Sequence, residues 1–230
     1  MIGKRAAVLF SGGKDSTLAA YAAVKKGYRI ECLVSIIPES PESWMFHYPN
    51  IELTKLQAEA MGVPIVTRRT KGRKEAELRD LELVLRKVAK KVDVVVAGAI
   101  ASRYQFGRVE RICKKLGLRV WSPLWRHYPG GLWNILLKSG FKVIISGVAC
   151  EGLGKAWLGR EMDRKAVSEL KKLAEKHRFH VAGEGGEFES LVLDCPLFKK
   201  RLKILEAEKT WDPKTQSGLY LVKKAGLVNK

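Results

Sequence analysis

Ala6-Ala7-Val8-Leu9-Phe10-Ser11-Gly12-Gly13-Lys14-Asp15-Ser16-Thr17-Leu18-Ala19-Ala20 is the stretch that decides the fold. Its first five residues form an apolar run of the length and composition of a buried strand. Thr17 to Val24 is an Ala- and Leu-rich run that predicts a helix ending near Gly27. Between the two, Gly12 and Gly13 let the backbone turn tightly and approach a ligand with no Cβ in the way. A helix that starts at such a turn points unpaired N–H groups into it, which favours an anion. Lys14 adds a positive charge, and the Ser11 and Ser16 hydroxyls add hydrogen-bond partners. The stretch suits a phosphate or pyrophosphate.

The same alternation continues outward. Ile30 to Ile37 reads as a second buried strand, and a helix from about Ile51 to Met61 leads to a short strand at Ile65-Val66-Thr67. Leu78, Leu81, Val84, Leu85 and Val88 give Glu75 to Lys91 the spacing of an amphipathic helix. Val92 to Ala97 is a further strand, Arg103 to Leu116 a helix, and Arg119-Val120-Trp121 a strand end. Repeated strand–helix units predict an α/β fold: a Rossmann-like, doubly wound parallel sheet with its site at the C-terminal strand ends. Gly98-Ala99 follows one of those ends, where small residues would let a nucleotide come close.

Pro123 to Gly131 is rich in turn residues and reads as a boundary, giving a first domain at 1–128 that holds the anion-binding turn and a second at 129–230. Beyond it come a short helix from Leu132 to Ser139, a strand from Phe141 to Val148 and a helix from about Met162 to His177. Short strands at Leu191–Leu193, Leu202–Leu205 and Leu219–Val222 follow. The second part is therefore expected to be a smaller α+β lobe, with a cleft between it and the first.

Composition narrows the function classes. Hydrophobic content of 46% and charged content of 29% describe an ordinary globular protein. The apolar run after Met1 is too short for a signal peptide or a membrane span, so the chain reads as cytoplasmic. Cys32, Cys113, Cys150 and Cys195 lie far apart with no C-x-x-C, which argues against a zinc ribbon, a disulfide framework or paired-cysteine sulfur transfer. Against 24 Asp and Glu stand 43 Lys and Arg, a net charge of +19 that would steer the protein toward polyanions such as tRNA or the ribosome. Much of that excess also fits solvated helix C-termini, as at Lys25-Lys26, Lys90-Lys91 and Lys114-Lys115.

The glycine turn fits neither G-x-x-x-x-G-K-[ST] nor G-x-G-x-x-G. It resembles instead the S-G-G-x-D-S loop of the PP-loop ATP pyrophosphatase superfamily, whose fold is that of the adenine nucleotide alpha hydrolases and whose members split ATP into AMP and pyrophosphate. The wider pattern narrows the resemblance: Met45 to Asn50, Gly98-Ala99-Ile100, Tyr104 to Glu110, Pro123-Leu124-Trp125, and Glu184-Gly185-Gly186-Glu187-Phe188-Glu189-Ser190-Leu191-Val192-Leu193-Asp194-Cys195-Pro196-Leu197-Phe198. Together these are similar to the diphthine–ammonia ligase family in its short, archaeal-type form, from the first strand to about Phe198. Tyr48 and Phe188 stand where that family often has Thr and Tyr.

The resemblance implies ATP-dependent amidation of diphthine, a modified histidine of translation elongation factor 2, with ammonium as nitrogen source. ATP and Mg²⁺ would then be required. Ser11, Gly12, Gly13, Lys14, Asp15 and Ser16 would bind ATP with Gly98 and Ala99, and Ser35 and Ile36 would read the adenine edge. Lys14 and Asp15 would form the catalytic set with Glu187. Asp15 is placed as the Mg²⁺ ligand, with helix capping as its alternative or additional role.

His47, Tyr104, Gln105, Trp125, Glu184, Gly186, Glu187 and Glu189 are placed at the diphthine. That substrate carries a trimethylammonium group, which carboxylates or an aromatic cage could hold. Trp44, Phe46, Tyr48, Trp125 and Tyr128 could form such a cage or serve as ordinary packing. One acidic residue would take the proton of ammonium, and which one stays open. Two rivals stand beside this reading: a PP-loop enzyme that adenylates a tRNA base, and a non-catalytic nucleotide sensor.

Overall fold

The computed structural model describes residues 3–38, 50–71, 74–98 and 103–230. The chain divides into two compact units, Met1–Arg126 and His127–Lys230. In the first, strands β1 (Arg5–Leu9), β2 (Arg29–Pro38), β3 (Ile65–Thr70), β4 (Val94–Val96) and β5 (Arg119–Trp121) form one parallel sheet in the order β3-β2-β1-β4-β5. Helices α1 (Lys14–Lys25), α2 (Thr54–Met61), α3 (Lys74–Val88) and α4 (Arg103–Lys115) connect them.

Sheet burial explains the apolar runs. Ala7, Val34 and Val95 pack under Leu81, Val84 and Leu85 of α3 and Val109, Ile112 and Cys113 of α4. Strand residues of the other parity, Ala6, Val8, Leu33, Val94 and Val96, are no more than 2% exposed, so both faces are covered and strand alternation cannot show as polarity. The doubly wound sheet expected from the sequence is present. Its order reverses between β1 and β4, and in such sheets ligands bind outside the strand ends at that point. Both the glycine turn and Gly98 leave the sheet there.

The second unit is α+β, as expected. Strands β6 (Lys142–Ala149), β7 (Phe188–Asp194), β8 (Arg201–Asp212) and β9 (Ser217–Val228) form an antiparallel sheet in the order β7-β6-β9-β8. Helices α5 (Pro129–Lys138) and α6 (Arg164–His177) complete it. Helix α5 begins three residues before the expected start. Pro129 fits its first turn because the missing N–H would have no intrahelical partner there, so Gly130 and Gly131 are helical rather than turn. Strands β7, β8 and β9 are all longer than their apolar cores suggested, because ladder pairing carries β8 and β9 through exposed polar residues.

Asp163 caps α6, accepting the Ala166 N–H at 2.7 Å. Asp163→Ala is expected to lower stability by about 1 kcal/mol in urea unfolding, with no change in nucleotide affinity. No helix among the described residues is long and apolar enough to cross a membrane.

Candidate functional site

The glycine turn begins where β1 stops. Phe10 extends the pairing by one bond, its N–H reaching the Val34 carbonyl at 2.8 Å, and the chain then turns through Gly12 at φ +80°. Gly13 is the N-cap of α1, in extended conformation, and no side chain caps the helix. The hydroxyls expected to meet phosphate are used within the loop. Ser16 Oγ accepts the Ser11 N–H at 3.2 Å, lies 3.2 Å from Ser11 Oγ and donates to the Gly13 carbonyl. Thr17 Oγ1 donates to that carbonyl at 2.8 Å. These bonds stiffen the turn, and with glycine at the N-cap and no side-chain cap bond the start of α1 has the electrostatic form of an anion site.

Lys14 and Asp15 form an ion pair of 2.7 Å at the start of this helix, with the Lys14 side chain only 4% exposed. Capping by Asp15 does not occur. Gly13 holds the cap position, Asp15 Oδ2 faces Lys14, and Asp15 Oδ1 is buried with no hydrogen-bond partner among the described residues. A buried carboxylate oxygen of that kind fits a hard cation such as Mg²⁺, which takes one or two carboxylates together with phosphate oxygens.

Neighbouring strands and helices clamp the turn. Gly98, at the end of β4, lies against the backbone of Asp15 and Ser16: a Cβ there would sit 2.8 Å from the Asp15 carbonyl carbon and the Ser16 nitrogen. Its small size therefore serves the packing of the loop itself. Ser35, 1% exposed, donates to the Phe10 carbonyl at 2.5 Å and fixes the point from which the turn departs.

Ser35 and Ile36 lie inside β2 rather than at its end, but β2 runs on to Pro38 after β1 has stopped at Leu9. Val34 directs its carbonyl to β1, and Leu33 directs its N–H away from it, to the Pro64 carbonyl. By strand alternation the Ile36 backbone groups face the side that β1 has vacated. Gln57 of α2 was not singled out by sequence reasoning. It is fully buried, and its Nε2 donates to the Gly12 carbonyl at 2.9 Å. A Gln on the helix face that also buries Thr54, Ala58 and Met61 was the available signal.

In the second unit, the acidic segment divides between a turn and a strand. Glu187 binds its own loop: Oε1 accepts the His180 N–H at 2.7 Å and Oε2 the Gly185 N–H at 2.8 Å. Phe188, buried, stacks on Trp133, whose Nε1 donates to the Val181 carbonyl at 2.8 Å. Gly186 adopts φ +86°, a backbone conformation that favours glycine. The Glu184 N–H donates to His180 Nδ1 at 3.3 Å. Glu189 belongs to β7, opposite Gly147 of β6, where a Cβ would come within 3.2 Å of the Glu189 Cβ.

Of the remaining expected residues, Trp125 packs on Phe106 of α4 with ring centroids 4.9 Å apart. Tyr128 is 79% exposed. Tyr104 and Gln105 fall in the first turn of α4. Ala99, His47, Trp44, Phe46 and Tyr48 lie outside the described residues. All four cysteines are free thiols. Burial, aided at Cys150 by the Glu187 charge, pushes Cys32 and Cys150 up to about 11 and Cys113 and Cys195 up to about 12, far from the thiolate form that sulfur chemistry needs.

Comparison with known proteins identifies the family. Residues 4–120 match the diphthamide synthase N-terminal domain and residues 131–228 its C-terminal domain. The chain is 36% identical to the diphthine–ammonia ligase of Mus musculus, over 89% of this chain and 84% of that protein. It is 34% identical to the human protein of the same name, with the same coverage. It is also 34% identical to that of Schizosaccharomyces pombe, of which it spans 36%. Among solved structures it is similar to the predicted subunit of tRNA methyltransferase from Methanocaldococcus jannaschii, at 16% identity and a TM-score of 0.45 over 84% of this chain and 97% of that one, too distant to carry an argument. With both of that family's domains present in order along one chain, the protein belongs to the diphthamide synthase family.

Proposed function

We propose that this protein is a diphthine–ammonia ligase, which uses ATP to convert the side-chain carboxylate of diphthine on elongation factor 2 to an amide. The observation that carries the reading is the uncapped N-terminus of α1 at the switch point of a parallel sheet, with the buried Lys14–Asp15 pair beside it. Both domains of the family accompany it. The first unit would act as the ATP-binding domain and the second would serve the diphthine and ammonium. The reaction would take place in the cytoplasm, where elongation factors work.

A carboxylate is a poor acyl donor at neutral pH. Attack of a diphthine carboxylate oxygen on the α-phosphorus of ATP breaks the bond to the β-phosphate oxygen, gives an acyl-adenylate and releases pyrophosphate. The N–H groups at the start of α1 and the Lys14 charge lie where that leaving group gathers negative charge. Asp15 would hold Mg²⁺ through Oδ1, and the ion when bound would offset phosphate charge. The Ile36 backbone would read the adenine edge. Ammonia then attacks the acyl carbon, AMP leaves, and the protons shed by ammonium pass to a carboxylate and to water.

Glu184 and Glu189 are the carboxylates we assign to the trimethylammonium and ammonium cations. Glu187 shapes the turn that carries Glu184 and stays a candidate for the proton acceptor. In Glu187→Gln an NH₂ would meet a backbone N–H, losing one of the two bonds that set the turn. Amidation is expected to fall about tenfold with ATP affinity unchanged, read from initial rates and nucleotide titration. Equal loss of both would assign the turn to the nucleotide or the fold.

The tRNA-adenylating rival has the net charge of +19 and the same glycine turn behind it, and no RNA-binding motif. Incubation with ATP, ammonium and diphthine-bearing elongation factor 2 tests the reading. AMP, pyrophosphate and the mass change of replacing hydroxyl by amino on the factor are expected. ATP turnover stimulated by tRNA and indifferent to the factor would favour the rival.

A further inference from the structure

The peptide plane joining Gly12 to Gly13 has no side chain on either residue to fix its direction, so it is the least determined element of the turn. Flipping it would exchange the sides to which the Gly12 carbonyl and the Gly13 N–H point. One side chain opposes that flip. Gln57, 0% exposed on α2, donates from Nε2 to the Gly12 carbonyl at 2.9 Å. Its amide also fills the space beside the Gly12 Cα: a Cβ there would come within 3.3 Å of Nε2 and closer still to Oε1. Carbonyl and N–H point in opposite directions across a trans peptide. Holding the Gly12 oxygen toward α2 therefore directs the Gly13 N–H away from α2.

Gly13 is the N-cap of α1, and its N–H is one of the four that a helix leaves unpaired at this end. We infer that Gln57 is a positioning residue that locks the Gly12–Gly13 peptide, so that the Gly13 N–H joins those of the first turn of α1 in holding the β- and γ-phosphates of ATP and then pyrophosphate. The inference rests on the reading of this turn as a pyrophosphate cradle. It assigns Gln57 to the pyrophosphate side of the nucleotide specifically, because the peptide it holds is in the turn and not along β2. The adenine and ribose of AMP have no stake in that peptide.

The test measures binding of inorganic pyrophosphate and of AMP, separately, to the full chain and its variants by calorimetry. Gln57→Met keeps the length and removes the donor. Gln57→Asn keeps an amide but withdraws it from Gly12, and is measured alongside so that a folded variant is in hand. Gln57→Glu presents a carboxylate to the carbonyl. Pyrophosphate affinity is expected to fall about tenfold in the Met and Asn variants and further in the Glu variant, with AMP affinity unchanged. Parallel loss of both ligands would make Gln57 a merely structural residue and overturn the inference, as would full pyrophosphate affinity in the variants. Failure of the unsubstituted protein to bind pyrophosphate would instead remove the cradle reading itself, and that result needs no variant to be seen.

Discussion

Lys14→Met is expected to lower kcat/KM for ATP about a thousandfold, measured as AMP release under saturating ammonium and diphthine-bearing factor. The side chain is 4% exposed and lies 2.7 Å from Asp15, at a helix start that no other side chain caps. Under the proposed mechanism, removing it takes away the positive charge that would meet the leaving pyrophosphate. It also leaves the Asp15 carboxylate partly buried without that cation, beside a ligand of the same sign. Lys14→Arg should not restore activity, because a larger planar guanidinium does not replace a buried ammonium paired with Asp15 at 2.7 Å. Activity within about threefold of wild type in Lys14→Met would place pyrophosphate stabilisation elsewhere.

Gly98→Ala carries the second-largest expected effect. Its Cβ would lie 2.8 Å from backbone atoms of Asp15 and Ser16, which cannot swing aside as a flexible side-chain tip could. The start of α1 must then move, and misplacing a catalytic loop by an ångström can cost about a hundredfold in kcat/KM. Gly107→Ala serves as the control. It lies within α4 with open space where its Cβ would go, so it should stabilise the protein by about 0.5 kcal/mol and leave kcat/KM unchanged. Equal behaviour of the two variants would mean that the contact between Gly98 and the loop has no part in holding it.

The first half of the fold was legible because its signals are local. Strand runs separated by four helical spacings admit few arrangements other than a parallel sheet, and Ser11 to Ser16 named its own place at the end of one strand. Strand lengths in the second unit were harder. In β8 and β9, residues such as Glu206, Glu208, Lys223 and Lys224 are exposed, so pairing between strands rather than burial decides how far each runs.

Within the site, sequence identified the residues that bear charge and missed those that hold them. Gln57 lies 45 residues from the carbonyl it binds, a pairing that only the folded chain reveals. Glu187 read as a free carboxylate because nothing in Glu184 to Glu189 shows that His180 and Gly185 donate to it. Asp15 suited a cap by its type and a metal by its family pattern, and the φ/ψ of Gly13 decided the first question against it.

If the diphthine carboxylate itself is adenylated, one of its oxygens must leave with AMP. Diphthine-bearing elongation factor 2 carrying heavy oxygen in that carboxylate is turned over with ATP and ammonium, and the phosphorus-containing products are separated by mass. Transfer of one labelled oxygen into AMP, with pyrophosphate unlabelled, is the predicted result. Label in orthophosphate together with ADP would mean an acyl-phosphate route through the γ-phosphate, and would contradict the account.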